Sequence, residues 1–279
     1  MYIYINSQFK NNTDILESIV SYEQRQDNIV PANGNFLLSV DRWFIEGGYF
    51  PIFQVPSNPL YIKINNQLET INFTSNDTIY NGDFIYSMDD FMTPINESLS
   101  NFNLGLSLSF DYDKNLFSLN SSSSQNLNIN MDLKLGSYLL FDNMKIINNE
   151  WLLSFSGTSI QQSITSIDNL CPVIRISIES TDLPCVPELL PAENNLVSRN
   201  TSNIISDYKY LQNDISPIKN ILYNADGNHR WQNIINGISN FKNIRLSYFF
   251  FDYNNNKYPV QVLSGGIGEA KLLFKNDLD

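Results

Sequence analysis

A chain of 279 residues with 42% hydrophobic, 13% aromatic and only 16% charged residues can bury a sizeable core, as one large all-β domain or two smaller ones, and is not disordered by composition. Its formal net charge of −12 with a single His excludes the basic footprint that neutralises phosphates, so no direct nucleic-acid binding is expected. The longest aromatic run, Tyr248 to Phe251, falls far short of the ~20 apolar residues that cross a bilayer, and no membrane span is expected.

In chain order, "YIYIN" at the start alternates apolar and polar residues and reads as a strand, and residues 1–35 read as an N-terminal arm or strand. The opening "MYIYINSQFK" has no basic region followed by an apolar stretch, so Cys171 and Cys185 are expected as reduced thiols in an intracellular compartment. A weaker helical pattern covers Asn12 to Glu23, with Ile15, Ile19 and Val20 on one face. The stretch "FLLSVDRWFIEGGYFPIFQV", 36–55, concentrates aromatic surface. It places Phe36, Leu38 and Val40 on one face of a strand, with Trp43, Phe44 and Ile45 beginning the next. Residues 43–45 and 49–53 are apolar on both strand parities, which calls for cover beyond one partner sheet by a helix, a long loop or another subunit.

Further strands follow from the same period of two in "LYIKIN", "LGLSLSF", "LNINMDLKL", "VIRISIES", "KYPVQVL" and "AKLLF", each bounded by turn-forming residues. "FFFDYNNNKYPVQV" predicts a hairpin with an Asn-rich turn. One segment is helical: in "YSMDDFMTPINESLSNFN", Phe91, Ile95, Leu99 and Phe102 share a face, Ser87 is placed to cap, and Pro94 is expected within the first turns. "NSSSSQN", 120–126, is expected to be a hairpin tip, and the Pro-rich "LPCVPELLPAENN" opens an arm or insertion near 183–213.

Candidate chemistry is weak throughout. His229 in "NHRWQN" has no nucleophile motif beside it. "DYDKN" gives Asp111, Asp113 and Asn115 calcium-loop spacing, but Leu116 and Ser122 stand where Gly and Glu are required, so a strand-end turn is the better reading. Asp89 and Asp90 are adjacent, do not face each other on a helix, and suit its first turn. "SGGIGEAKLLF" leads into a strand rather than a helix, which argues for a tight turn over a phosphate cradle. Cys171 and Cys185 are too few for a zinc site. No catalytic, cofactor-binding or metal residue is assigned, no cofactor is expected, and the protein reads as a non-enzyme.

The order of several segments resembles the penton, or minor capsid, proteins of polinton-like viruses, virophages and adintoviruses. "FLLSVDRWFIEGGYFPIFQV" is similar to an early strand pair of that family, a "V-x-R-F" element leading to "P-I-F". "IYSMDDFMTPINESLSNF" is similar to its "Y-x-x-x-D-F-x-x-x-I-N-x-A-L" helix, with Ser98 where Ala is usual. "RISIESTDLPCVPEL" and "NIISDYKYL" resemble a strand followed by "LP" and "E" and then "I-L-x-D-F". The stretch from Asn220 to Phe274 resembles the closing hairpin and "K-L-L-F", with Phe251 replacing a polar residue before Asp252.

The resemblance implies a single jelly-roll β-sandwich over 36–279 with one or two short helices and long loops. It implies homopentamers at the icosahedral fivefold vertices of a virion, contact with a double-jelly-roll major capsid protein, assembly inside the host cell and a vertex open to a host receptor. The alternative is a carbohydrate-binding or host-attachment β-sandwich module, for which Trp151 and Trp231 are the candidate platforms.

Overall fold

The computed structural model describes residues 2–7, 17–21, 36–45, 50–73, 84–183, 185, 204–209, 221–225, 227, 231–233, 243–260 and 268–276. Strands β1 (Tyr2–Ser7), β2 (Glu17–Ser21), β3 (Phe36–Ile45), β4 (Phe53–Gln54), β5 (Leu60–Ile64), β6 (Gln67–Ile71) and β7 (Phe84–Ile85) lead to helix α1 (Met88–Ser100). Then come β8 (Leu106–Asp111), β9 (Leu116–Met131), α2 (Leu133–Leu139), β10 (Met144–Ile147), β11 (Glu150–Gln161) and α3 (Ile167–Leu170). The chain closes with β12 (Arg175–Glu179), β13 (Ile204–Lys209), β14 (Ile221–Asn224), β15 (Gln232–Asn233), β16 (Asn243–Phe251), β17 (Lys257–Pro259) and β18 (Gly268–Asn276). Two compact units result: Met1–Phe50 with Val173–Asp279, and Pro51–Pro172. The sequence reading drew its boundary at 35/36 and its insertion near 183–213. Of that second stretch Leu183, Cys185 and β13 fall among the described residues, and β13 pairs with β12.

The first unit is a pair of antiparallel sheets, one in the order β1-β18-β3-β14 with β15 also on β3, the other β13-β12-β16-β17 with β2 also on β16. This is the two-sheet arrangement of a jelly roll, and the fold class is all-β as expected. Glu17–Ser21, inside the expected helix at 12–23, pairs with Asn243–Ser247 instead. Consecutive β-branched Ile19 and Val20 favour that extended state, and a short amphipathic pattern does not outweigh a free sheet edge.

The aromatic stretch at 36–45 is one strand, not two. Its register against β18 runs from Lys271 opposite Arg42 to Leu272 opposite Val40, leaving Asp41 as the extra residue of a bulge. Inward burial therefore passes from Leu38 and Val40 to Trp43 and Ile45, a change of parity that the bulge absorbs. Asp41 is fixed by an ion pair to Lys271 at 2.6 Å, and its carbonyl accepts from the Ala225 N–H at 2.9 Å. Trp43 meets Tyr208 edge-on and stacks on Tyr223, both at 6.1 Å.

The second unit is built on a six-stranded sheet ordered β10-β11-β9-β5-β6, with β8 also on β9, plus the small β4-β7 pair. Its hairpins turn on Asn65-Asn66 and Asn148-Asn149, all at φ between 50° and 65°, the left-handed geometry that matches strand twist. α1 starts as predicted: the Ser87 hydroxyl accepts from the Asp90 N–H at 3.1 Å, and Asp89 and Asp90 occupy the first turn. Pro94 lies deeper than expected, inside the helix, where it removes one rung of the ladder. Phe91, Ile95 and Leu99 are all at most 2% exposed, and such burial is worth roughly 1.5–3 kcal/mol per side chain. Phe91 sits 5.0 Å from Phe53, 5.6 Å from Phe73 and 5.9 Å from Phe117.

Two further expectations differ. "NSSSSQN" is not a tip but the middle of β9, where the register against β11 jumps from Gln125 opposite Gly157 to Asn120 opposite Ser159. The surplus residues bulge out of the ladder, and the Ser122 N–H donates to the Gly105 carbonyl at 3.0 Å. Gly105, at φ 62°, leaves room that a Cβ would take from Ser122 Oγ, 2.0 Å away. "LNINMDLKL" is half strand: Asp132 caps α2 by accepting from the Lys134 N–H at 2.8 Å, so the alternation ends at Met131.

Candidate functional site

Two of the residues weighed for chemistry hold local turns and caps: Asp111 at a hairpin and Asp90 in the first turn of α1. Asp111 Oδ1 accepts from the N–H groups of Asp113 and Lys114 at 3.0 and 3.1 Å, closing the β8–β9 turn with Asn115 at φ 56°. Among the described residues no cluster of His, Cys, Asp and Glu is arranged to hold a metal ion. His229 and residues 264–267 of the glycine-rich segment lie outside the described residues, while 270–274 form part of β18 as expected. Cys171 and Cys185 are both buried. Burial pushes the Cys185 thiol up to about 12, so it is neither nucleophile nor ready ligand.

The aromatic stretch does not carry free apolar surface. Trp43, Ile45, Phe50, Ile52 and Phe53 are at most 2% exposed within the chain itself. Within the second unit Phe53 is covered by Phe91 of α1 at 5.0 Å and Tyr138 of α2 at 5.4 Å, and within the first Phe50 meets Phe250 at 6.4 Å and Trp43 meets Tyr208 and Tyr223. Exposed large apolar side chains lie elsewhere: Ile146 and Ile147 on β10, an edge of the six-stranded sheet, Leu68 on β6 at its other edge, and Leu222 on β14. Unpaired strand edges and apolar patches of this kind are what subunit contacts use.

The candidate carbohydrate platforms are engaged. Trp151 is half-buried against α2, and its indole N–H donates to the Leu133 carbonyl at 3.1 Å. Trp231 is half-buried, with Lys275 Nζ 5.1 Å from its ring.

Sequence reasoning missed three constellations, two of them assembled from segments distant in the chain and one, at Asp252, within a single hairpin turn. Gln162 is buried, takes the Phe117 N–H at 2.8 Å, and donates to the Leu139 carbonyl and to Ser166 Oγ. Asp252, fully buried, accepts at Oδ1 from the N–H groups of Asn254 and Asn256 at 2.9 and 2.8 Å, and at Oδ2 from Asn256 Nδ2 at 2.9 Å and the Tyr258 hydroxyl at 3.3 Å. Arg175 lies 3.8 Å over the Phe251 ring. Only Asp252 had a signal in the sequence, the "DYNNN" turn.

Comparison with known proteins shows what the chain is similar to. No curated protein sequence matches the chain. Among solved structures, the mavirus penton protein superposes with a TM-score of 0.72 at 24% identity, covering 99% of each chain. A chain of the Sputnik virophage, determined by cryo-EM, superposes with a TM-score of 0.69 at 18% identity, covering 100% of this chain and 98% of its own. The model of the Sputnik minor capsid protein V18/19 family matches residues 94–276. The match runs from inside α1 to the last residue of β18, and the chain accordingly belongs to the Sputnik minor capsid protein V18/19 family, a structural component of the virion capsid and not an enzyme.

Proposed function

We propose that the chain is the vertex protein of its capsid, five copies closing a ring at each fivefold axis and each contacting a double-jelly-roll major capsid protein. The observation that carries the reading is the end-to-end superposition on a penton protein, which covers 99% of both chains. Identical heterologous contacts close into a ring without leaving free strand edges, and the exposed apolar residues on β10 and β14 suit such contacts. In this reading the first unit is the jelly-roll body and Pro51–Pro172 an inserted domain. Native mass measurement and electron microscopy of the purified chain test it. Rings of fivefold mass are expected, and a monomer at every concentration would refute it.

A host-attachment role is the second reading, and one observation favours it. Ser107, Ser109, Asn126, Asn128, Ser154 and Ser156 are exposed on one face of the six-stranded sheet and carry no charge. Hydroxyl and amide groups of that kind match a neutral glycan better than an ionic partner. Glycan arrays probed with the assembled protein test it, and no sugar-dependent signal would remove it.

A further inference from the structure

On β12, Ile176 and Ile178 are 1% exposed on one face, and Arg175, Ser177 and Glu179 share the other, where Ser177 is buried and Arg175 and Glu179 are half-buried. Arg175 stands opposite Phe251 in the register, with its guanidinium carbon 3.8 Å from the ring centroid. Along the same face Lys257 Nζ lies 3.9 Å from the Phe249 ring. The two cation–aromatic pairs differ in one respect. Lys257 is neutralised by Glu179 at 2.6 Å, whereas Arg175 has no carboxylate among the described residues, and its Nε is buried without a hydrogen-bond partner.

A guanidinium held at this distance over an aromatic ring still presents its remaining N–H donors in a fixed fork, which is the geometry that receives a carboxylate. Leaving that half-buried charge without a carboxylate from the described residues costs free energy, and a docked acid would recover it. Aromatic-backed Arg is also a residue type on which interface energy concentrates. The chain carries 29 acidic against 17 basic residues, so a second copy offers acids in excess. We infer that the Arg175–Phe251 pair is the anchor of a subunit contact, receiving an Asp or Glu side chain of a second copy of this chain. The inference rests on the ring reading above.

The test uses the full chain and its R175Q and R175K variants, with folding checked by thermal melting. In sedimentation velocity across protein concentration, R175Q is expected to raise the concentration for half-assembly about tenfold or more. Independently, carbodiimide treatment of an equal mixture of ordinary and heavy-nitrogen R175K chains is expected to give mixed-isotope peptides joining position 175 to an acidic residue. Wild-type rings together with unchanged R175Q assembly, or with same-isotope links alone, overturn this contact and spare the ring. A wild type that stays monomeric overturns both.

Discussion

The Trp151 indole lies directly on Gly136: a Cβ built on the glycine would sit 2.2 Å from Trp151 Cδ1 and 2.6 Å from its Cβ. The contact joins α2 to β11. Because the Trp151 Cβ is fixed to its strand, rotating the side chain cannot relieve the clash, and the helix would have to lift.

G136A therefore tests the helix–sheet contact with a predictable sign. In an open helix, Gly to Ala gains about 1 kcal/mol from propensity. Overpacking of a filled contact costs roughly 1–3 kcal/mol, and here the obstruction lies beside a backbone-fixed atom. G136A is expected to lower the denaturation midpoint in urea. W151G alone should also destabilise, but adding G136A to W151G, which lacks the obstructing Cβ, should cost less than adding it to the wild type. Additive effects would show that the two residues do not touch.

The β16–β17 hairpin is closed by Asp252, whose two oxygens accept four hydrogen bonds within the turn. D252N turns one acceptor into a donor facing other donors while keeping the shape. A loss of about 1–3 kcal/mol is expected, the cost of buried groups left unpaired. Thermal melting of D252N beside N254A is the measurement. N254A keeps the backbone N–H that Asp252 uses, so a drop as large in N254A as in D252N would count against the carboxylate as the staple.

Strands with a clean period of two and the α1 cap were legible in the sequence because each is a local signal. Ser87, Asp90 and the Phe91–Ile95–Leu99 spacing lie within one helix. What escaped the reading depends on register. Asp41 looks like any polar residue until Lys271 and Val40 are seen to count differently across it. Without that bulge, the apolar residues at 43–45 appear to overflow one face. The serine run at 120–126 escaped for the same reason, being a bulge in a long strand that composition alone makes look like a turn. Of the candidate sites, the strand-end turn read at Asp111 is the β8–β9 turn, where its carboxylate accepts from the Asp113 and Lys114 N–H groups. The sequence had no means to pair Arg175 with Phe251, which are 76 positions apart in the numbering (251 − 175) and adjacent only through the sheet.

The two cysteines give a prediction about reactivity. Both are buried, Cys185 Sγ lies 3.3 Å from the Leu183 carbonyl, and its thiol is pushed up to about 12 by burial. Thiolate, the reacting form, is then nearly absent at pH 8. Neither cysteine should react with a disulfide reagent in the folded protein, and both should react in denaturant without prior reduction. Fewer than two thiols after unfolding would mean that a disulfide had formed.

Asp168 in α3 supplies a pH test. Its carboxyl is raised above the usual range by desolvation, and no compensating hydrogen bond or ion pair reaches it among the described residues. A folded-state pKa above the unfolded one means that the native protein holds the proton more tightly. The contribution is fully present below the unfolded value of 3.8 and is lost as pH rises through the folded value, so at neutral pH the ionised group works against folding. D168N removes that charge while keeping the shape. It should be more stable than the wild type at pH 7, and the difference should shrink as the pH falls towards about 4, where the wild-type carboxyl also becomes neutral. Paired melting curves across this range decide the matter. A D168N advantage that is constant with pH, or that grows in acid, would show that the carboxyl is not desolvated in the way its position in α3 implies.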